Sequence, residues 1–239
     1  MSILFRVDVD KPLGHHNLLV KVGSKLSEDL HISVRRHPRY LFHLKEMLRF
    51  LNEKKVPAFF YFRLITLPDN ETIELLEAGT HSYGYHMENT RSFDTFRQEI
   101  ENFNKQGFYS DHFTKHGSGS YKLGKYHYPP YEPLKYMEWA NKLNLTFYSG
   151  NGIAKCKEDL YEKNNDFYSN AFWGERNYRD ENYNNIEDFV NAGISSDIIF
   201  LTHPENFYTH KILKQDVDKM ISLAESKNIQ WIREIPNLI

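Results

Sequence analysis

Apolar runs of strand length alternate with segments of helical period along almost the whole chain. No other feature limits the possible folds as much. "ILFRVDV" (3–9) is a short run rich in β-branched and aromatic residues, the pattern of a buried strand. "HPRYLFHLKEMLRFLNEKK" (37–55) places Leu41, Leu44, Leu48 and Leu51 at helical spacing, with Pro38 near the start, where proline is tolerated. "VPAFFYF" (56–62) predicts a second strand, and "PDNETIELLEAG" (68–79) a short helix closed by Gly79. "SYGYHM" (82–87) predicts a third strand. "SFDTFRQEIENFNKQG" (92–107) predicts a helix with Ser92 as N-cap and Gly107 past its end. "HFTKHGS" (112–118) reads as a fourth strand entering a loop, 132–144 as a helix and "LTFYSG" (145–150) as a strand. The polar, Asn- and Tyr-rich stretch 157–185 predicts loops with short strands. "DIIFLTH" (197–203), a helix over 208–228 and a last strand, "IQWIRE" (229–234), complete the pattern.

Such alternation predicts a mainly parallel sheet covered by helices, either a barrel or a doubly wound sheet. No repeat and no low-complexity linker interrupts it, so residues 1–239 are expected to form a single domain. The chain carries 30 Lys and Arg against 32 Asp and Glu, a net charge of −2, and no basic excess points to nucleic acid. No apolar run reaches spanning length, and no basic-plus-apolar leader precedes the first strand; a cytoplasmic protein without a membrane span is expected. Cys156 is the one cysteine, which excludes an intramolecular disulfide and a cysteine-based zinc site.

In folds of this class functional groups gather where strands end and loops begin. Asp8 and Asp10 end the first expected strand, His86 the third, His116 the fourth, and His203 the "DIIFLTH" strand. Several strand ends thus supply carboxylates and imidazoles together. Buried groups of this kind must be paired or bind a metal. Asp and His suit a divalent transition metal such as zinc, which would lower the pKa of a water and polarise a carbonyl. A nearby carboxylate can then take the water's proton and a separate His can protonate the leaving group. The i, i+2 spacing of Asp8 and Asp10 puts both on one face of an extended strand, so that one can bind metal while its neighbour acts as base. The competing reading is that one of them caps a turn or pairs with Arg6, Lys11 or an arginine elsewhere.

These residues, in this order, resemble the polysaccharide deacetylases of carbohydrate esterase family 4, in a divergent branch. Asp8-Val9-Asp10 matches the family's first motif, "EAGTHSYGYHMENT" (77–90) the strand leading to its histidine, and Leu201-Thr202-His203 its late Leu-x-His strand. The resemblance implies a distorted (β/α) barrel of roughly seven strands and metal-dependent removal of an N- or O-acetyl group from a carbohydrate. It implies Asp8 as general base, Asp10 and His86 as metal ligands, and His203 as the acid that protonates the departing amine.

Two departures stand out. Where the family has another histidine four residues after the first, this chain has Thr90, a far weaker ligand. The family's Arg-Pro-Tyr loop is not evident; "KHGSGSYKLGKYHYPPYEP" (115–133) occupies its place. His116 is the candidate to replace the missing ligand, because it ends a strand and precedes a glycine-rich turn; His15, His16 and His81 compete with it. Tyr131, Trp173 and Arg176 are the candidate substrate contacts, since flat rings cover sugar faces and arginine binds sugar or phosphate, although surface salt bridges account equally for Arg176 and Arg179. The expected partner is a carbohydrate or sugar nucleotide, and the expected cofactor a divalent metal, zinc first. Two other functions fit the same residues: hydrolysis of a cyclic imide or other C–N amide bond, and carbohydrate binding without turnover.

Overall fold

In β1 (Ser2–Val9) the side chains divide by parity. Ile3, Phe5, Val7 and Val9 are apolar and buried, whereas Leu4, Arg6 and Asp8 alternate with them. Successive side chains of a strand point to opposite faces, so this strand has one wholly apolar face and one that turns polar towards its end. The same division recurs across the sheet.

The computed structural model describes residues 2–13, 23, 30, 33–117, 128, 130–145, 147–149, 152–153, 163–164, 167–168, 170–175, 186–192, 197–209 and 211–233. After β1 come helix α1 (Phe42–Lys54), β2 (Phe59–Phe62), a 3-10 turn (Leu64–Thr66), α2 (Asn70–Ala78), β3 (Ser82–Met87), α3 (Phe93–Lys105), β4 (His112–Lys115) and α4 (Pro133–Lys142). The short strands β5 (Phe147–Ser149), β6 (Gly152–Ile153), β7 (Lys163–Asn164), β8 (Phe167–Tyr168) and β9 (Asn170–Trp173) follow. The chain continues through α5 (Ile186–Ala192), β10 (Ile198–Thr202), α6 (Pro204–Thr209), α7 (Lys211–Ser226) and β11 (Gln230–Trp231).

The strand order is β5-β4-β3-β2-β1-β10-β9-β6, with β11 beside the start of β1. Every pairing in this sheet is parallel; β7 and β8 form a separate antiparallel pair. The sheet curls into a half-barrel flanked by helices, an α/β fold of the expected class. On its outer face Ile3, Phe5, Phe60, Phe62, Phe113 and Phe200 pack against Leu44, Met47, Leu48, Phe96, Phe103, Val217 and Met220 of the helices. Each such side chain contributes on the order of 2 kcal/mol by leaving water. The inner face holds a smaller cluster of Leu4, Phe59, Tyr61, Ala171, Trp173, Ile199 and Leu201.

Local signals act as the sequence suggests in places and are overridden in others. Ser92 caps α3 through Thr95, whose hydroxyl in turn accepts from the Ser92 N–H. α1 begins at Phe42 rather than at His37, because Leu41 takes a left-handed conformation (φ 52°) and gives its N–H to the Pro12 carbonyl at 2.8 Å. The segment expected as one helix over 208–228 is two, and the first starts earlier, at Pro204, where proline suits the first helical position. The last strand is only Gln230–Trp231. Among the described residues no helix is long and apolar enough to cross a membrane.

Candidate metal centre

Parallel strands end on one rim, and the polar residues of the inner face collect there. β1 delivers Arg6, Asp8 and, one residue past its end, Asp10. β3 delivers His86, β4 Thr114 and then His116, β9 leads to Glu175 and β10 to His203. Each shares parity with an inner apolar residue of its own or a neighbouring strand, such as Leu4, Trp173 or Leu201.

Asp10 is the hub. Its Oδ1 lies 3.1 Å from His86 Nε2 and 2.9 Å from His116 Nδ1, and its Oδ2 lies 3.6 Å from His203 Nε2. The His86 and His116 rings meet edge to face, 4.9 Å between centroids. One ligand atom from each of Asp10, His86 and His116 falls within 4.8 Å of the others, so the three can hold one metal ion. One carboxylate oxygen and two imidazole nitrogens suit a divalent transition metal, and three protein ligands leave room for water or substrate. Burial alone would raise the Asp10 carboxyl, but the imidazoles of His116 and His86 hold it well below the usual carboxylate range.

The three residues are themselves held. His86 Nδ1 lies 2.6 Å from the Thr114 hydroxyl, so a proton on Nδ1 leaves Nε2 free to bind a cation. The His116 N–H donates to the Met87 carbonyl at 2.8 Å. Fully buried Lys115 staples the next turn, its Nζ donating to the carbonyls of His116 and Gly117 at 2.8 and 2.7 Å. Thr90 is committed elsewhere, its hydroxyl 3.1 Å from that of Tyr136. It is the His116 side chain, from the next strand, that stands beside Asp10.

Asp8 and His203 adjoin this group. Asp8 is gripped by fully buried Arg6, with Nε to Oδ1 at 2.8 Å and the second nitrogen to Oδ2 at 2.7 Å, and its Oδ2 lies 3.5 Å from His86 Nε2. The ion pair weighed for Asp8 therefore exists, with Arg6 as the partner. Glu175 Oε1 accepts from the His203 N–H at 2.7 Å and from the Thr202 hydroxyl at 3.0 Å, and lies 2.9 Å from His203 Nδ1. Burial would push the His203 imidazole down, but the Glu175 carboxylate reverses this and holds it up at about 10. Sequence reasoning passed over Glu175; its signal was parity, two residues beyond Trp173 on the same strand line.

The Trp173 ring lies 5.7 Å from that of His203, inside the cluster. Tyr131 is half-buried with its ring 6.1 Å from that of Tyr136, against the outer, helix-side core. His81 serves the framework, accepting from the Ala58 N–H at 3.0 Å. Arg176, Arg179, His15 and His16 lie outside the described residues.

No protein-family model matches the sequence, and no curated protein matches it either. Solved structures do match in shape. A protein described as a polysaccharide deacetylase from Mycobacterium smegmatis superposes with a TM-score of 0.55 at 12% identity, covering 97% of this chain and 86% of that one. The chitin deacetylase from the fungal pathogen Colletotrichum lindemuthianum superposes with a TM-score of 0.54 at 15% identity, covering 97% of this chain and 84% of that one. The fold is that of the polysaccharide deacetylases. At these identities the likeness carries the backbone of the deacetylase fold; the chemistry rests on the side chains described above.

Proposed function

We propose that this chain is a metal-dependent hydrolase that removes an acetyl group from an N- or O-acetylated carbohydrate. The observation that carries this reading is the meeting of Asp10, His86 and His116 at the rim of a deacetylase fold, with Asp8 and His203 within 3.5 and 3.6 Å of members of that group. Asp10, His86 and His116 are the metal ligands, and their N/N/O donor set suits zinc. The bound ion supplies Lewis acidity towards the acetyl carbonyl and makes a water more acidic.

The chain's own residues do the rest. Asp8 accepts the proton of the attacking water on a lone pair that Arg6 leaves open, since a carboxylate has about four such sites and the guanidinium uses one on each oxygen. His203, kept charged by Glu175, gives a proton to the departing nitrogen or oxygen as the bond to the acetyl carbon breaks. The products are acetate and a free amine or hydroxyl. Trp173 and Arg176 are assigned to the sugar, Trp173 with the better support because its ring lies against that of His203, whereas Tyr131, packed on the outer, helix-side core, is not.

The test is acetate release by the zinc-loaded full chain. Substrates are N-acetylglucosamine oligomers, a nucleotide-linked N-acetyl sugar and acetylated xylan, with cyclic imides assayed beside them. Acetate is expected, and Asp8→Asn should abolish its release while zinc stays bound. Cleavage of imides alone, or an Asp8→Asn variant as active as wild type, would refute the assignment.

A further inference from the structure

Asp10 sits beyond the reach of the sheet ladder that orders its neighbours. The last pairing of β1 with β2 is Val9 opposite Phe62, and Asp10 is the next residue. Its backbone is caught instead by a side chain from the adjoining strand. Arg63, one residue past β2, donates to the Asp10 carbonyl at 2.7 Å and to Glu88 Oε1 at 2.6 Å. Glu88 lies two residues past His86. Both members of this ion pair are 3% exposed at the side chain. The turn carrying Glu88 is fixed again from α3, where the Glu99 carboxylate accepts the N–H groups of Glu88 and Asn89 at 3.0 and 2.8 Å. The Arg63 N–H donates to Thr66 Oγ1 at 2.9 Å, and that hydroxyl donates to the Val9 carbonyl at 2.7 Å.

We infer that Arg63 is a positioning residue that clamps the end of β1 to the end of β3 and so sets the separation of Asp10 from His86. This rests on the metal-centre reading above. β2 lies between β1 and β3 in the sheet, so a side chain leaving its end is the shortest bridge between them. The energetics favour a geometric role. A buried ion pair stabilises a fold little, and apolar replacements of similar volume are often neutral or better. A guanidinium, however, is a rigid planar fork that fixes the distance and direction of two acceptors together; a lysine ammonium holds one point. Residues that orient ligands from behind commonly govern metal affinity by one to two powers of ten.

The test uses Co(II) as a probe of the full chain, read by its visible absorption and by titration, with thermal melting of the metal-free protein as the control for folding. Two variants are compared with wild type: Arg63→Lys, which keeps the charge and loses the fork, and the double variant Arg63→Met with Glu88→Met, which replaces the pair by apolar volume. Both are expected to bind Co(II) about 10- to 100-fold more weakly with an altered spectrum, the double variant melting close to wild type. A merely structural role would lower the melting temperature and leave affinity and spectrum unchanged, and that result would overturn the clamp alone. A wild type that gives no Co(II) spectrum, or one that survives Asp10→Ala, would overturn the metal centre and the clamp with it.

Discussion

His81 allows a prediction that is independent of any metal. Its Nδ1 accepts from the Ala58 N–H at 3.0 Å. A backbone amide can only donate there, so Nδ1 carries no proton and the hydrogen sits on Nε2, which meets Asn52 Oδ1 at 2.7 Å. Asn52 Nδ2 then donates to the Leu75 carbonyl at 2.9 Å, and the His81 ring stands edge-on to Phe60 at 5.1 Å. A second proton would point at the Ala58 N–H. Burial pushes the imidazole down from 6.5 to about 4. The folded pKa lies below the unfolded one, so the unfolded chain takes up the proton first. The stability held by neutral His81 is complete above 6.5, is lost as pH falls from 6.5 through about 4, and changes no further below that. The whole gap is worth about 3 kcal/mol, of which about 2 kcal/mol should vanish between roughly pH 7 and pH 4.5. Urea unfolding at those two conditions measures it. His81→Asn, whose amide oxygen can accept from Ala58, should lose less stability over the same interval by about that amount. His112, also pushed down to about 4 by burial, contributes its own slope to both proteins and cancels from the difference. Equal losses in the two proteins, or an NMR titration of His81 near 6.5, would refute the reasoning.

Glu175→Gln keeps an acceptor beside His203 and removes the charge; turnover should fall at least about 10-fold, with zinc content unchanged and the basic limb of the pH–rate profile moved to lower pH. Thr114→Val deletes the partner of His86 Nδ1 at constant shape, and competition with a chromophoric chelator should show zinc held about 10- to 100-fold more weakly. Gly84→Ala would put a Cβ 2.4 Å from His112 Nδ1 and 2.7 Å from the Tyr61 ring, so chemical denaturation should register a loss of about 1–3 kcal/mol.

How much of this was legible in the sequence depended on which period carried the information. The parallel sheet followed from the alternation itself, and β3 over Ser82–Met87 begins and ends where the sequence places it. Helix starts were less visible. α1 waits for Leu41 to be turned by Pro12, a contact about thirty residues away that no local signal encodes. In the site, residues at strand ends announced themselves: Asp10, His86 and His116 do come together, and Thr90 does face elsewhere. Arg6 entered only as a rival explanation for Asp8, and Glu175 not at all. Arg6 lies on the inner face of β1 and Glu175 just past the end of β9, each two places from a residue already singled out. Arg63 was hidden for a different reason, since its role lies in reaching two neighbouring strands at once, which only the strand order reveals.

That order also bears on the two readings of Asp8, which the sequence set against each other as base or ion pair. The ion pair with Arg6 is observed, and under the proposed function the two are compatible. Arg6 precedes Asp8 on the same strand face, so its fork approaches from the barrel interior, stacked over the Tyr61 ring at 5.5 Å. The rim side, where Asp10 and His86 stand, is left to the other lone pairs. An uncompensated carboxylate at this depth would be costly, and removing one partner of such a pair commonly costs about 3–5 kcal/mol. Arg6 therefore lets a charged acceptor stay among buried rings without covering the side on which a water could meet it. The Arg6 pair is thus the counter-charge that the proposed role of Asp8 draws on, supplied from two residues earlier on the same strand.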